Sequence, residues 1–154
     1  MYAGTIPSDM GLVTTANSGS DVVVTWDAPT DTGGLGISSY TIEFKYGSNY
    51  ASTTDCDAAL ALSTNSCTVP MTTFTAPPYS LVINDSIIAR IKATNAIGSS
   101  SNWSSDSTSY AVVQTSPDQV TNLANDSTVT NDTRIKITFD ALTGDATGGA
   151  SIVY

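Results

Sequence analysis

Short apolar stretches alternate along this chain with turns rich in glycine, proline, asparagine, aspartate and serine. The clearest strand signal lies in residues 37–46, where Tyr40, Ile42 and Phe44 alternate with polar positions. A period of two is typical of a half-buried β-strand. The same alternation predicts a strand at 87–94, and a run of β-branched and aromatic residues predicts another at 22–26. A further strand is expected at 110–113, and residues 58–62 favour one helical turn. Short strands separated by turns indicate an antiparallel β-sandwich or barrel.

One sequence pattern occurs twice. The heptapeptide VVVTWDA, which begins at Val22, lines up with IKITFDA, which begins at Ile135. The other matches, first copy before second, are Gly33-Gly34 with Gly148-Gly149, Tyr40 with Tyr154, and Pro7 with Pro117. We therefore divide the chain into a module at residues 1–115 and the beginning of a second module at 116–154. The second part holds the first two strands and the start of a third, which cannot close a two-sheet core alone.

Hydroxyl groups, rather than charges, carry most of the polarity of this chain. Of 154 residues, 45 are Ser or Thr, whereas only 12% are charged and the formal net charge is -9. A surface of that sign repels phosphate, so we expect no nucleic-acid partner. No apolar run reaches the ~20 residues that a membrane span requires.

Few residues offer catalytic chemistry. The chain has no histidine, which is the commonest general base and a frequent metal ligand. Its single glutamate, Glu43, is expected on the solvent side of a strand beside Lys45. Serine is abundant, but no histidine is present to activate it. We therefore predict that the chain is not an enzyme and has neither a metal centre nor a cofactor.

Calcium is the alternative to this metal-free interpretation. Aspartates are paired at three turns, namely Asp27 with Asp31, Asp140 with Asp145, and Asp55 with Asp57. Calcium requires several oxygen ligands, and turns of this kind can supply some of them. However, no pair fits an EF-hand loop, and aspartate also favours turns for conformational reasons.

The two cysteines, Cys56 and Cys67, have ten residues between them. Two cysteines cannot form a four-ligand zinc site, and the spacing is unlike that of a CxxC redox motif. A structural disulfide is the preferred interpretation, and two unrelated buried thiols are the alternative. A disulfide indicates an oxidising compartment, so we expect an extracellular or cell-surface protein. The first ten residues lack the basic and apolar regions of a signal peptide.

Four Asn-X-Ser/Thr sequons fit an extracellular location. Their asparagines, which are candidates for N-linked glycans, are Asn84, Asn102, Asn125 and Asn131. A chain of 154 residues with nine asparagines and 45 serines or threonines would contain about two or three sequons by chance, so four sequons are only a weak enrichment. We nevertheless expect covalent glycans.

Several segments in the right order resemble fibronectin type III modules over essentially the whole chain. Trp26 lies in VTWDAPTDTGG and Tyr40 in ISSYTIEFKY. The segment IIARIKATNAIG resembles the family's V-x-A-x-N-x-x-G signature, and Ile91 occupies its first position. The resemblance implies an all-β fold, namely an immunoglobulin-like antiparallel β-sandwich followed by a partial second sandwich. It also implies a core built on Trp26, Tyr40 and Ile91, and on Phe139 in the second copy. Independently of the resemblance, two sheets of half-buried strands would bury Trp26, Tyr40, Ile42, Ile91 and Val112 together.

Some positions depart from the family pattern. Ile87 stands where the family has a tyrosine, and Phe139 replaces the tryptophan in the second copy. A longer insert near residues 50–68 carries both cysteines. The integrin-binding Arg-Gly-Asp tripeptide of some members is missing, so that activity is not expected.

Two functions are compatible with this reading. The first is a non-enzymatic structural or interaction role, as a repeat segment or subunit of a fibre or module array. Its partners would be copies of itself or adjacent modules, assembled head-to-tail so that a neighbouring copy completes the partial module through strand addition. The second is a ligand-binding module for a protein or glycan. Its candidate surface comprises Trp103, Arg90 and Lys92.

Overall fold

The computed structural model describes residues 3–56 and 58–153, with the backbone alone for residues 58–60. The chain divides into two compact units, Met1–Val113 and Gln114–Tyr154. The elements of the first unit are β1 (Val13–Ser18), β2 (Asp21–Trp26), β3 (Ser39–Tyr46), β4 (Asn49–Ala51), α1 (Ala58–Thr64), β5 (Ser66–Pro70), α2 (Met71–Thr75), β6 (Ser86–Ile87), β7 (Ala89–Thr94) and β8 (Ala111–Val112). Those of the second are β9 (Ala124–Asn125), β10 (Ile137–Thr138) and a 3-10 helix at Gly144–Thr147.

The first unit is an antiparallel sandwich. Strands β1, β2 and β5 form one sheet, β4, β3 and β7 form another, and β6 pairs with β8. The inward side chains of both main sheets belong to one apolar cluster, in which Val22, Val24 and Ile91 are fully buried. The alternation that predicted a half-buried β3 is confirmed, since Ile42 and Phe44 are buried.

Trp26, the expected centre of the core, is 6% exposed and meets the half-buried Tyr40 edge-on, with 5.2 Å between ring centroids. Ile87, which stands in place of the family's tyrosine, is fully buried. Another tyrosine ties this core to a strand, because the Tyr79 hydroxyl donates a hydrogen bond of 3.0 Å to the carbonyl of Ala51. Burial raises the pKa of Tyr79 to about 12.

Two sequence expectations for the strands need correction. The stretch expected to be one strand from 87 to 94 is divided at Ile88, because β6 pairs with β8 whereas β7 pairs with β3. Val112 was expected in the core, but its two neighbours, Ala111 and Val113, are buried instead. An error of one residue in the register of a strand exchanges its two faces.

The helical turn expected near 58–62 is confirmed as α1, which packs against β3 and β5. Cys56 and Cys67 form the predicted disulfide, with their Cα atoms 5.3 Å apart. The bond joins the segment that precedes α1 to β5. It therefore closes the loop that contains this helix.

The second unit repeats the first hairpin of the first unit. Strands β9 and β10 are antiparallel, with Ala124 opposite Thr138 and Asn125 opposite Ile137. In the register of the repeat, these pairs correspond to Thr14 with Thr25 and Thr15 with Val24 in β1 and β2. Phe139, the counterpart of Trp26, is 47% exposed. The expectation that Phe139 lies in a core is therefore wrong, because no second sheet covers it among the described residues of this unit.

Each unit also ties down its own N-terminal segment. In the first unit, the backbone N–H of Thr5 donates to the carbonyl of Gly33 at 3.0 Å. In the second, Thr115 donates to Gly148 at 2.9 Å. We call this contact the N-terminal clamp. Both glycines have positive φ, and a Cβ on either would lie 2.0 or 2.1 Å from the carbonyl oxygen of the clamped threonine. The backbone conformation and its close approach both require glycine there.

Candidate ligand surface

The outward face of the sheet formed by β4, β3 and β7 carries all three basic residues of the first unit, Lys45, Arg90 and Lys92. Strand pairing places Arg90 opposite Glu43 and Lys92 opposite Thr41. The β3–β4 hairpin adds Tyr50, which lies opposite Lys45. Directly opposed side chains share one face of a sheet. These residues therefore form a single outward row.

A serine-rich segment, residues 99–107, runs along the other edge of β7. The backbone N–H groups of Ser100, Ser104 and Ser107 donate to successive alternate carbonyls of β7, at 2.8–3.0 Å. The hydroxyls of Ser104 and Ser107 accept from backbone N–H groups of the same strand, at 3.0 and 3.1 Å. Hydroxyls thus take the place of strand carbonyls along this edge. The segment positions two side chains, Trp103 and Asp106, over the outward row.

Arg90 is enclosed between two aromatic rings. Its guanidinium carbon lies 3.6 Å from the ring centroid of Tyr50 and 4.4 Å from that of Trp103. Both Nε and Nη2 of Arg90 donate to one carboxylate oxygen of Glu43, at 3.0 and 2.6 Å. Stacking on aromatic faces and pairing with a carboxylate are both characteristic of arginine. The charge of Arg90 is therefore already neutralised within the protein.

The two lysines lie at the ends of the row. Lys92 Nζ is 5.3 Å from the Trp103 ring and donates to the carbonyl of Ser101. Lys45 Nζ donates to Asp106 at 3.0 Å, and the Tyr50 hydroxyl donates to the same carboxylate at 2.7 Å. These side chains follow one another across the sheet surface, and we call them the cation–aromatic row: Lys92, Trp103, Arg90, Tyr50 and Lys45.

One carboxylate beside this row, that of Asp106, has a shifted pKa. Burial raises the pKa of Asp106, but hydrogen bonds from Tyr50 and Lys45 outweigh this effect, so its pKa lies below the ordinary value. Glu43 was expected to lie beside Lys45 at the surface. Instead it is a half-buried partner of Arg90, because it lies directly opposite that residue on β7. Lys45 pairs with Asp106.

The structure brings together all three residues proposed as a ligand surface, Trp103, Arg90 and Lys92. It also adds Tyr50 and Asp106, which sequence reasoning missed. Tyr50 could have been found from the Gly47-Ser48 turn, since a two-residue hairpin places it opposite Lys45. Asp106 had no such signal, because the serine-rich segment follows neither a strand nor a helix period.

The four sequon asparagines are all exposed. Asn102 is held by Asp9, which accepts from its backbone and side-chain nitrogens at 2.8 Å each. Those two hydrogen bonds hold the pKa of Asp9 below its ordinary value. Asn131 lies in the turn that follows β9, where it accepts from Thr133.

Three of the aspartates considered for calcium, one from each pair, act as local hydrogen-bond acceptors. Asp31 accepts from the backbone of Gly33 at 2.8 Å, and Asp140 accepts from the side chain of Asn122. Asp55 accepts from the hydroxyls of Thr73 and Thr53, which lower its pKa. Asp57 lies outside the described residues. Among residues 3–56 and 58–153, no three histidine, cysteine or acidic side chains are grouped so as to hold a metal ion.

No protein-family profile and no curated protein matches the sequence. Nor is any helix within the described part of the chain both long and apolar enough to cross a membrane.

Solved structures do match the fold. Domains FN1–FN3 of chicken contactin CNTN1 align with a TM-score of 0.53 and 16% identity, over 92% of this chain and 46% of that one. Domains A168–A170 of titin align with a TM-score of 0.52 and 21% identity, over 71% of this chain and 33% of that one. The twitchin kinase region from C. elegans aligns with a TM-score of 0.51 and 19% identity, over 71% of this chain and 17% of that one. This chain thus spans less than half the length of each of these structures. It has the fibronectin type III fold.

Proposed function

We propose that this chain is a non-enzymatic segment of an extracellular array of fibronectin type III-like modules. In this array the second unit is the first hairpin of a further module, and additional strands of the type of β3 to β8 complete it. Its role is structural: it links modules and presents their surfaces. The neighbouring folds in contactin and titin structures support a module of a larger protein.

One observation carries the proposal. Four apolar positions of the first hairpin, Val13, Val22, Val24 and Trp26, are between 0% and 6% exposed. Their counterparts in the second unit are also apolar but lie at the surface, with Leu123 67%, Ile135 76%, Ile137 55% and Phe139 47% exposed. We call these four counterparts the open face. Apolar surface of this kind is stabilised when it is covered.

The internal repeat supports a specific cover for the open face. In the first unit, the corresponding positions belong to one core with Phe44 of β3 and Ile91 of β7. Strands with this alternating pattern are therefore the chemistry that fits. The first unit of a neighbouring copy is a poor donor, because its own β3 and β7 already cover its own hairpin. We therefore assign the completing strands to the same polypeptide.

Other features support an extracellular, non-catalytic role. The disulfide and the exposed sequons suit an oxidising, glycosylating compartment. The absence of histidine from the whole sequence removes the usual general base. Because Arg90 is already paired with Glu43 and stacked on two rings, we do not advance the ligand-binding alternative.

The test is to complete the second unit and follow its backbone. In a completed chain, residue 154 is followed by a second copy of residues 41–113, in the register that aligns Tyr154 with Tyr40. We expect hydrogen exchange at residues 135–139 to slow at least tenfold relative to the 154-residue chain, because these amides become part of a closed sandwich. Ile137→Asp in the completed chain is the control, and it should abolish the protection.

Equal exchange in the completed and the 154-residue chains would contradict the proposal. The mass of the native polypeptide after removal of glycans tests the source of the strands. A mass well above 15.9 kDa is expected. A mass of 15.9 kDa would contradict completion within one polypeptide and would favour completion by a neighbouring copy.

A further inference from the structure

We propose that Asn125 is the residue through which the open face anchors the strands that complete it, and that an N-linked glycan at this asparagine keeps the second unit open. This inference rests on the function proposed above. It gives one of the four sequons a specific role. Completion of the module and glycosylation of Asn125 exclude each other.

The corresponding residue of the first unit, Thr15, shows what this position does in a closed module. Thr15 is 2% exposed. Its hydroxyl donates to the carbonyl of Ile87 in β6 at 2.7 Å and accepts from the backbone N–H of Ala111 in β8 at 2.8 Å. A single side chain therefore joins β1 to two strands that come much later in the sequence. These two bonds are buried and form only when the sandwich closes.

Strand pairing places Asn125 at the same position of the second unit. It lies opposite Ile137, just as Thr15 lies opposite Val24. Because opposed residues share a face, the side chain of Asn125 lies on the same side of the hairpin as the open face. Its Oδ1 atom presently accepts a hydrogen bond from the hydroxyl of Thr130 within the hairpin.

The amide of Asn125 has the hydrogen-bonding capacity that the position requires. It offers an N–H donor and a carbonyl acceptor with a second lone pair, matching the one donation and one acceptance made by Thr15. The molecule already uses an amide in this way. Asn17 donates to the carbonyl of Val112 at 2.8 Å and accepts from its N–H at 2.9 Å, and so pairs with β8 as a strand would.

A glycan at Asn125 is incompatible with this arrangement. The sugar is attached to Nδ2, so it removes one N–H donor and introduces a bulky polar group where the closed module leaves 2% exposure. Asn131 provides the contrast within the same unit. It lies in the turn between β9 and β10, away from the strand positions that a second sheet would cover.

The experiment produces the completed chain defined above as a secreted protein in cells that attach N-linked glycans. Ser127→Ala removes the sequon of Asn125 and keeps the asparagine, whereas Thr133→Ala removes the sequon of Asn131. Glycopeptide mass spectrometry reports occupancy, and hydrogen exchange reports protection of residues 135–139. We expect at least tenfold slower exchange in the Ser127→Ala protein, and exchange as fast as in the 154-residue chain wherever Asn125 carries a glycan.

The outcomes separate the two proposals. If the Ser127→Ala protein is unprotected, the proposed completion fails. If it is protected and the chain glycosylated at Asn125 is protected equally, completion stands and the role of Asn125 is overturned. A 154-residue chain that carries glycan at Asn131 but none at Asn125 would overturn the glycan switch.

Substitutions test the anchor without relying on glycosylation. In the completed chain, Asn125→Thr restores the residue of the first unit and should keep the protection. Asn125→Arg should remove it, because an unpaired charge would be buried, and the matched Asn131→Arg should not. Protection that survives Asn125→Arg would overturn the anchoring role.

Discussion

The two hairpins of this chain carry the same apolar pattern but lie in different surroundings. In β1 and β2 the pattern is buried beneath a second sheet, whereas in β9 and β10 its counterparts are exposed. The strand register is nonetheless the same in both. The apolar pattern therefore determines which side chains share a face. Burial depends on a partner that the hairpin itself does not provide.

The N-terminal clamp differs from the apolar face in this respect. It forms in both units with nearly equal distances, 3.0 Å for Thr5 with Gly33 and 2.9 Å for Thr115 with Gly148. A second contact is repeated as well, since Ser8 donates to Asp31 and Asp118 donates to Ala146. These contacts join a unit's N-terminal segment to the turn that follows its first hairpin, so they need no second sheet. The second unit is thus organised before it is completed.

The largest difference between the units should come from their central aromatic residues. Trp26→Ala should cost about 3–5 kcal/mol of unfolding free energy, because it empties a buried site. Phe139→Ala in the 154-residue chain should change it by less than about 0.5 kcal/mol, as expected for a surface position. Urea unfolding followed by circular dichroism measures both. A comparable loss in the two variants would mean that the open face is already covered in solution.

The disulfide provides the next difference, because residues 114–154 contain no cysteine. Replacing both Cys56 and Cys67 by serine should cost the first unit about 2–3 kcal/mol through loop-closure entropy. Hydrogen exchange of residues 121–140 should not change, and it serves as the internal control. An unchanged urea midpoint would show that the bond does not constrain the unfolded chain.

The clamp should respond in the same way in both units. Gly33→Ala should destabilise the first unit by about 1–3 kcal/mol, since alanine needs a strained φ there and its Cβ would meet the Thr5 carbonyl. Gly148→Ala should speed hydrogen exchange at Thr115. Gly34→Ala is the matched control, because it has the same φ but no atom within 4 Å of the added Cβ. Equal losses of unfolding free energy at Gly33 and Gly34 would mean that backbone strain alone destabilises the variants, and that the approach to the Thr5 carbonyl contributes nothing.

The smallest expected effect is electrostatic. The pKa of Asp106 is lowered in the folded protein from 3.8. Its ionised form therefore adds stability above that value, and this contribution is lost as the pH falls through the lowered pKa. Asp106→Asn should reduce stability at pH 7, and the difference from the wild-type chain should vanish at low pH. Asp126→Asn, in the second unit, is the control and should leave the unfolding of the first unit unchanged.

Sequence reasoning identified the elements that depend on local pattern. The period of two located β3 and β7, and the run of β-branched residues at 22–26 located β2. The spacing of Cys56 and Cys67 suggested the disulfide that is present. It failed where the outcome depends on distant partners. Val112 is not in the core because the register of β8 is set by its pairing with β6, and Phe139 is exposed because nothing among the described residues covers it.

The candidate surface shows the same division. Trp103, Arg90 and Lys92 could be selected as unusual side chains in a chain poor in charge. The pairing of Arg90 with Glu43 required the register between β3 and β7, which are 47 residues apart at this pair. The position of Asp106 beside this surface could not be predicted, because the irregular segment that carries it has no periodic pattern to indicate which way its side chains point.

The serine-lined edge of β7 has a consequence for the resistance of this protein to aggregation. An exposed strand edge recruits other strands and so leads to aggregation. Here Ser104 and Ser107 occupy the backbone donors of β7 with neutral hydroxyls. Hydroxyl bonds of this kind are neither screened by salt nor removed by ordinary changes of pH. The backbone donors at this edge therefore stay occupied at high salt and at low pH. Protection of a strand edge by lysine and glutamate side chains would weaken under the same conditions.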